Sequence, residues 1–234
     1  MNGLKIGNLT ARIPVIQGGM GVGISLSGLA SAVANEGGVG VISCAGLGLI
    51  YREKARSYME SCIVGLKEEI RKTKEKTTGI VGVNIMMALT NFSDMVKTAI
   101  AEKADVIFAG AGLPLDLPKY LTPGSITKLV PIVSSARAAK IICEKWKANY
   151  DYLPDLIVVE GPKAGGHLGF KQNQIVDPNY SIENLIPDVV REVALFEEKY
   201  SQEIPVVAAG GIYDGENMYK IMQFGAKGVQ IASR

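Results

Sequence analysis

The segment Leu156-Ile-Val-Val-Glu-Gly-Pro-Lys-Ala-Gly-Gly-His-Leu-Gly-Phe170 runs from an apolar stretch through one acid into a glycine cluster. A β-branched apolar run of this kind reads as a buried strand that opens into a tight loop. His167, inside that loop, is the only histidine in 234 residues. Any step that needs a group titrating near neutral pH therefore has one obvious candidate. Gly165 and Gly166 would let bare backbone N–H groups approach an anion or a flat ring, which a side chain would prevent. A glycine-rich turn that merely carries an exposed histidine fits the same letters, and both readings stand at this point.

The strand-then-glycine pattern recurs along the chain. Pro14-Val-Ile16 ends in Gln17-Gly-Gly-Met-Gly-Val-Gly23, and Ser27 begins a helical pattern through Leu29, Ala30, Val33 and Ala34. Gly37-Gly38 closes that helix, Val39 to Ile42 is the next strand, and Gly46 and Gly48 mark a second turn. From Ile50 to Lys76, Met59, Ile63, Leu66 and Ile70 recur at helical spacing among dense charge, which describes an amphipathic surface helix. Further strands are expected at Ile80 to Ile85, with Asn84 near its end, at Asp105 to Phe108 before Ala109-Gly-Ala-Gly112, and at Lys128 to Val133. Helices are expected at 93–103 and from Ser135 to about Lys147. After the strand at 156–159, residues Phe170 to Pro187 read as a mobile cover or interface segment. A helix from Asp188 to Tyr200, a strand from Ile204 to Ala208, a helix from Gly215 to Phe224 and a strand from Gly228 to Ile231 complete the series.

Strands alternating with helices predict an α/β fold, either a (β/α)8 barrel or a doubly wound open sheet. The unusual residues favour the barrel. Gln17 to Met20, Asn84, Glu160 to His167, Gly210-Gly211 and Gln230 to Ser233 each fall at the C-terminal end of a strand, the rim where barrel active sites are assembled. The last two groups follow the seventh and eighth strands, the pair of loops that commonly cradles a phosphate. Ala208-Ala-Gly-Gly-Ile212, with Asp214 placed to cap the next helix, has the composition of such a cradle.

Composition excludes several classes. Lys and Arg total 25 against 23 Asp and Glu, and the basic residues form no stripe, so nucleic acid is not an implied partner. Apolar runs are interrupted by Gly or charge before the ~18 residues a membrane helix needs, so no membrane partner is implied either. Cys44, Cys62 and Cys143 are odd in number and widely spaced. They suit buried small hydrophobes in a reduced cytoplasmic protein, with no metal site expected. Trp146 reads as a packing anchor, and Ser134 lies on the ligand rim.

Taken together, Pro14-Val-Ile-Gln-Gly-Gly-Met20, Gly82-Val-Asn84, Glu160 through Gly169, Ile204-Pro-Val-Val-Ala-Ala-Gly-Gly-Ile212 and Gly225-Ala-Lys-Gly-Val-Gln230 resemble the nitronate monooxygenase family, formerly 2-nitropropane dioxygenases, related to FMN-dependent enoyl-ACP reductases. The resemblance implies one FMN-binding TIM-barrel domain over 1–234. Gly18, Gly19 and Met20 would line the flavin face, with Gln17 in the same loop. Asn84 and Glu160 would bond ring or ribityl groups, while Gly165, Gly166, Gly210, Gly211, Gln230, Ile231, Ala232 and Ser233 would hold the chain and phosphate. His167 would be the catalytic base in the oxidation of alkyl nitronates or nitroalkanes by dioxygen. Reduction of an enoyl thioester with NAD(P)H is the alternative, and a non-catalytic barrel that binds a phosphate-bearing ligand is a third. A homodimer is one open arrangement.

Two departures accompany the resemblance. The family usually has Gly-Thr where this chain has Ala232-Ser233, so the methyl is expected to crowd a phosphate. Members of the family also continue through an eighth helix and a cover segment, so the sequence reads as a barrel truncated after strand eight. The expected consequence is an apolar patch and weaker FMN binding.

Overall fold

The computed structural model describes residues 3–233. Its centre is a closed barrel of eight parallel strands in the order β10-β3-β4-β5-β6-β7-β8-β9. The strands are β3 (Val15–Gln17), β4 (Val39–Ser43), β5 (Ile80–Met86), β6 (Val106–Gly110), β7 (Lys128–Val133), β8 (Ile157–Glu160), β9 (Val206–Ala209) and β10 (Gly228–Ile231). The ring closes where Val229, Gln230 and Ile231 pair with Val15, Ile16 and Gln17. The barrel, not the open sheet, is therefore the fold. Between the strands lie α1 (Ser27–Asn35), α2 (Leu47–Ile50), α3 (Tyr58–Lys76), α4 (Phe92–Ala101), α5 (Ala136–Tyr150), α6 (Gln172–Ile175), α7 (Ile182–Tyr200) and α8 (Gly215–Gln223). No helix among the described residues is long and apolar enough to cross a membrane.

Two apolar clusters explain why these strands close. Ile16, Val39, Val41, Val106, Phe108, Val130, Val158 and Val207 fill the barrel interior, while Ile42, Val83, Ile107, Val159, Ala208 and Val229 face the helices. Side chains alternate along each strand, so each strand feeds both clusters. The interior also receives Leu4, Ile6 and Ala11 from a hairpin, β1 (Leu4–Ile6) with β2 (Leu9–Ala11), packed where the barrel strands begin. That hairpin gives no sequence signal, since strands of three residues are too short to show a period.

Helix boundaries differ from expectation in two places. The helix expected from Ile50 to Lys76 begins only at Tyr58 as α3, preceded by the short α2 that ends at Ile50 and a single turn at Arg52–Lys54. The break falls where Ser57 adopts extended backbone and its Oγ accepts Glu60 N–H, a side-chain N-cap that fixes where α3 begins. The excursion at 170–187 is also more ordered than expected: α6, a turn at Pro178–Tyr180 and the start of α7 occupy it. α7 continues through Pro187 because Ile182, Leu185, Ile186 and Val189 are buried around it, and that burial outweighs one missing hydrogen bond. Trp146 is an anchor as expected, buried and donating Nε1–H to the Pro114 carbonyl at 2.8 Å.

α1 lies unusually close to the sheet. A Cβ on Gly40 would fall 1.9 Å from the Ala30 carbonyl oxygen, and one on Gly79 would fall 2.4 Å from that of Ala34. Backbone cannot yield as a flexible side chain can, so α1 would have to move. Gly40→Ala is expected to cost about 3 kcal/mol of stability, read as a fall in urea midpoint at constant m-value. An unchanged midpoint would show that α1 does not rest on β4.

Candidate active site

Residue alternation fixes which side chains meet at the C-terminal mouth. Val41, Phe108, Val158 and Val207 point inward, so two residues later Ser43, Gly110, Glu160 and Ala209 also point inward. With Asn84, Ile132 and Gln230 they give seven of the eight strands a residue in the wall of one cavity, about 530 Å³ in volume, and Gly18, the first residue after β3, completes the ring. Below this floor Phe108 fills the interior, its ring in the space a side chain on Gly82 would take.

Of the expected site residues, Gly18, Gly19, Met20, Asn84, Glu160, Gly165, Gly166, His167, Gly210, Gly211, Gln230, Ala232 and Ser233 all line this cavity. Gln17 and Ile231 do not, and the same alternation explains both. Ile16 faces the interior, so Gln17 faces the helices. The residue is 5% exposed and its amide is engaged at both ends. Nε2 donates to Ser25 Oγ at 2.8 Å and to the Val41 carbonyl at 2.9 Å, and Oε1 accepts Val41 N–H at 3.3 Å. Val229 packs in the helix-facing cluster, so Ile231 packs there too. Its backbone carbonyl still serves the site by accepting Gly18 N–H at 2.7 Å.

The Gly18–Gly21 loop is shaped from behind. Ser25, fully buried, accepts from Gln17 and from Met20 N–H at 3.0 Å while donating to the Gly18 carbonyl at 3.1 Å. Glu69, reaching from α3, accepts Ser27 N–H at 2.6 Å and the Tyr51 hydroxyl, so the start of α1 is tied to α3. At Gly19 a Cβ would fall 2.4 Å from Asn84 Cβ, which shows why glycine is required there. The Ala232 methyl rests against Gly18: a Cβ on Gly18 would be 3.0 Å away.

Opposite lies the segment after β8. Gly210 and Gly211 have positive φ, 99° and 77°, and pack directly on it: a Cβ on Gly210 would meet Ala164 N at 2.8 Å. Asp214 caps α8 by accepting Asn217 N–H at 2.7 Å. Nothing lies within 4 Å of where side chains on Gly165 or Gly166 would be. His167 is exposed beyond them and makes no side-chain hydrogen bond among the described residues. Glu160 is the one acid in the lining, and burial raises its carboxyl to about 7.

Sequence reasoning missed Ser43, Ile132, Lys163 and Tyr213, which also line the cavity, and Ser25 behind it. Lys163 stood inside the glycine segment, so its position was legible, but its direction was not. Ser134 lies off the cavity lining, its hydroxyl 3.4 Å from the Gly169 carbonyl. The three cysteines are buried free thiols; burial lifts Cys44 far above the ordinary thiol range and Cys143 to about 12, which makes both poor nucleophiles.

The sequence and fold match known proteins. A carboxyl-CoA dehydrogenase of Rhodococcus jostii, (3aS,4S,5R,7aS)-5-hydroxy-7a-methyl-1-oxo-octahydro-1H-indene-4-carboxyl-CoA dehydrogenase, is 28% identical over 94% of this chain and 51% of its own. A probable nitronate monooxygenase of Staphylococcus haemolyticus is 26% identical, over 97% of this chain and 65% of its own. The solved structure of FabK from Thermotoga maritima superposes with a TM-score of 0.71 at 31% identity, covering 95% of this chain and 58% of that one. The chain thus spans about half to two thirds of the length of these relatives. The family model described as nitronate monooxygenase, a family of FMN-dependent flavoenzymes, matches residues 2–234. With the barrel, its glycine-lined mouth and a match over almost every residue, the chain belongs to the nitronate monooxygenase family.

Proposed function

We propose that residues 1–234 form one FMN-binding domain of an oxidoreductase that oxidises small alkyl nitronates or nitroalkanes with dioxygen, His167 acting as base. The observation that carries this reading is the shared cavity: the lone imidazole stands on the wall of a site at the C-terminal mouth, lined from seven strands and from Gly18 just after β3.

The residues present fit an FMN. The cavity lies within the usual size range of cofactor pockets, roughly 300–1,000 Å³. Its walls at 18–19, 165–166 and 210–211 are glycine, which leaves room for a flat ring and for close backbone approach. Asn84 and Gln230 offer amides, Ser43 and Ser233 hydroxyls, and Glu160 a carboxyl with no hydrogen-bond partner among the described residues. Bound FMN would supply two-electron chemistry that the side chains themselves lack.

The chain's own part is protonic. A ring nitrogen of His167 removes the acidic proton beside the nitro group of a neutral nitroalkane, and the imidazolium balances the charge of a nitronate. Because His167 is exposed, the proton passes on to water. Gly165 and Gly166 keep the approach to it open. Gln17 and Ser25 act from behind, holding Gly18 and Met20 in one arrangement.

A second reading, reduction of an enoyl thioester with NAD(P)H, is favoured by the 31% identity to FabK and by the CoA thioester named for the Rhodococcus relative. Anaerobic mixing separates the two. Bleaching of bound flavin by nitroethane or propionate-3-nitronate supports oxidation, whereas bleaching by NADPH alone supports the reductase.

Two substitutions test the residues. His167→Asn should lower nitroalkane turnover by roughly 100-fold to 10,000-fold with little change in FMN affinity, and equal turnover would remove His167 from the role. Glu160 tests the buried carboxyl. Its folded pKa of about 7 lies above the ordinary carboxyl value of 4.5. The unfolded chain therefore loses this proton first, and stability present below about pH 4.5 is lost as pH rises through 7. Glu160→Gln should flatten that slope in the FMN-free protein, by at most about 3 kcal/mol, as followed by urea midpoints at pH 5 and 8. A slope identical in both proteins would show that Glu160 is solvated.

A further inference from the structure

We infer that the half of the mouth formed by β4 to β7 seats the substrate's hydrocarbon chain on Ala45, Met86, Ala111 and Ile132, and that the substrate is an unbranched nitro compound whose uncharged chain is longer than that of nitroethane. The nitro group comes from the oxidation proposed above; the apolar seat stands without it. Going round the ring, the cavity wall divides by kind of residue. Every ionisable side chain of the described lining, Glu160, Lys163, His167 and Tyr213, stands at the end of β8 or in the loop after β8 or β9, and so do the glycine pairs at 165–166 and 210–211. The arc from β4 to β7 carries none among the described residues.

On that arc depth separates polar from apolar groups. Ser43 and Asn84 line the cavity near its floor, and residues two apart share a face of a strand, so the next positions toward solvent are Ala45 and Met86. The Ser43 hydroxyl is already turned to Ala45 N–H, at 3.3 Å. Ile132 closes the arc on β7, packed so near β6 that a Cβ on Gly110 would fall 3.1 Å from its own Cβ. Ala45, Met86, Ala111 and Ile132 are all half-buried, and each keeps apolar surface that a chain laid on it would take out of water. A carboxylate at the end of that chain would lose its hydration and meet no cation on this arc among the described residues.

The backbone supports the same seat. Ala111 carries its methyl on this wall at a conformational cost: its φ of 55°, between Gly110 and Gly112, is left-handed backbone that glycine adopts freely and alanine rarely does. Val22 is a second such residue, β-branched at φ 47°, with its N–H on the Ala45 carbonyl at 3.0 Å and its side chain exposed. Strain of this kind clusters at ligand sites. Apolar surface thus continues from Ala45 to Val22 at the rim.

The test titrates the FMN-loaded protein calorimetrically with the straight-chain alcohols 1-propanol to 1-octanol, which carry the chain without the reactive nitro group. Affinity should rise about threefold to fourfold for each added CH2. Met86→Gln keeps the side chain's length and makes its tip polar, and should weaken 1-octanol about tenfold. Ala111→Gly relieves the backbone and removes one methyl, and should weaken 1-octanol about threefold. Neither should move the FMN dissociation constant by more than about twofold. Anaerobic bleaching of the flavin then compares 1-nitrobutane with 3-nitropropionate, a charged chain of similar length, and the uncharged compound should react faster by about tenfold or more. A flat alcohol series, unchanged 1-octanol affinity in both variants or faster bleaching by 3-nitropropionate would overturn the inference. So would a fall in FMN affinity in step with that for 1-octanol, which would give the arc to the cofactor ring. If neither nitro compound bleaches the flavin while the alcohols bind as expected, the oxidase reading fails and the apolar seat stands. If FMN does not bind at all, the same alcohol series on the FMN-free protein decides the seat.

Discussion

The pairing of β10 with β3 is the constraint on which the site depends. Three register pairs, Val229 with Val15, Gln230 with Ile16 and Ile231 with Gln17, join the last strand to the first across more than two hundred residues of sequence. Closure makes all eight strands parallel members of one ring, so their C-terminal ends share one rim. It also sets the phase. Ile16 and Gln230 sit opposite each other and both point inward, which places Gly18 and Gln230 in the cavity wall while sending Gln17 and Ile231 toward the helices. A one-residue slip would exchange these sets. Gly18 N–H on the Ile231 carbonyl then extends the ladder one step past the strands and into the loop that lines the cavity.

That phase divides polar groups into two kinds. Gln17, Ser25 and Glu69 are buried behind the rim and satisfied several times over, by one another and by backbone. Buried polar groups are tolerable only when paired in this way, and once paired they hold one geometry. Glu160 faces the other way and has no partner among the described residues. The contrast explains why burial raises its carboxyl to about 7 and why a bound ligand, not the fold, must complete its surroundings.

Much of the fold was legible because each barrel strand is a short apolar run followed by glycine or a polar residue. Lys128 to Val133 and Gly228 to Ile231 appear with the boundaries the sequence suggests. The gathering of Asn84, Glu160, His167 and the glycine pairs followed from their shared place at strand ends. What the sequence could not supply was direction. A strand buried on both faces reads as continuous apolar letters, so nothing in Pro14-Val-Ile-Gln17 says which side chain faces the interior. Gln17 was thus expected at the ligand, and Ser25, eight residues on, gave no sign that it would fold back against it. The β1–β2 hairpin and the onset of α7 were hidden for other reasons: strands too short for periodicity, and a proline that reads as a break but lies in a helix held by four buried apolar side chains.

The chemical inventory of the cavity limits what this chain can do unaided. Its described wall holds one imidazole, one carboxyl and one ammonium. The cysteine thiols lie outside that wall and are suppressed by burial where a shift is seen. Such a set can move protons and attract anions, but it cannot accept an electron pair. A redox reaction at this mouth therefore requires a cofactor, and the glycine walls are what make room for one. The positions of the three groups then follow a sensible division. Glu160 sits deep, where desolvation keeps a proton on it near neutral pH; His167 sits at the open edge, where it can exchange one with water. Lys163 stands farther along the same loop as Glu160, its stem against Gly211, where its charge attracts anions at the cavity wall.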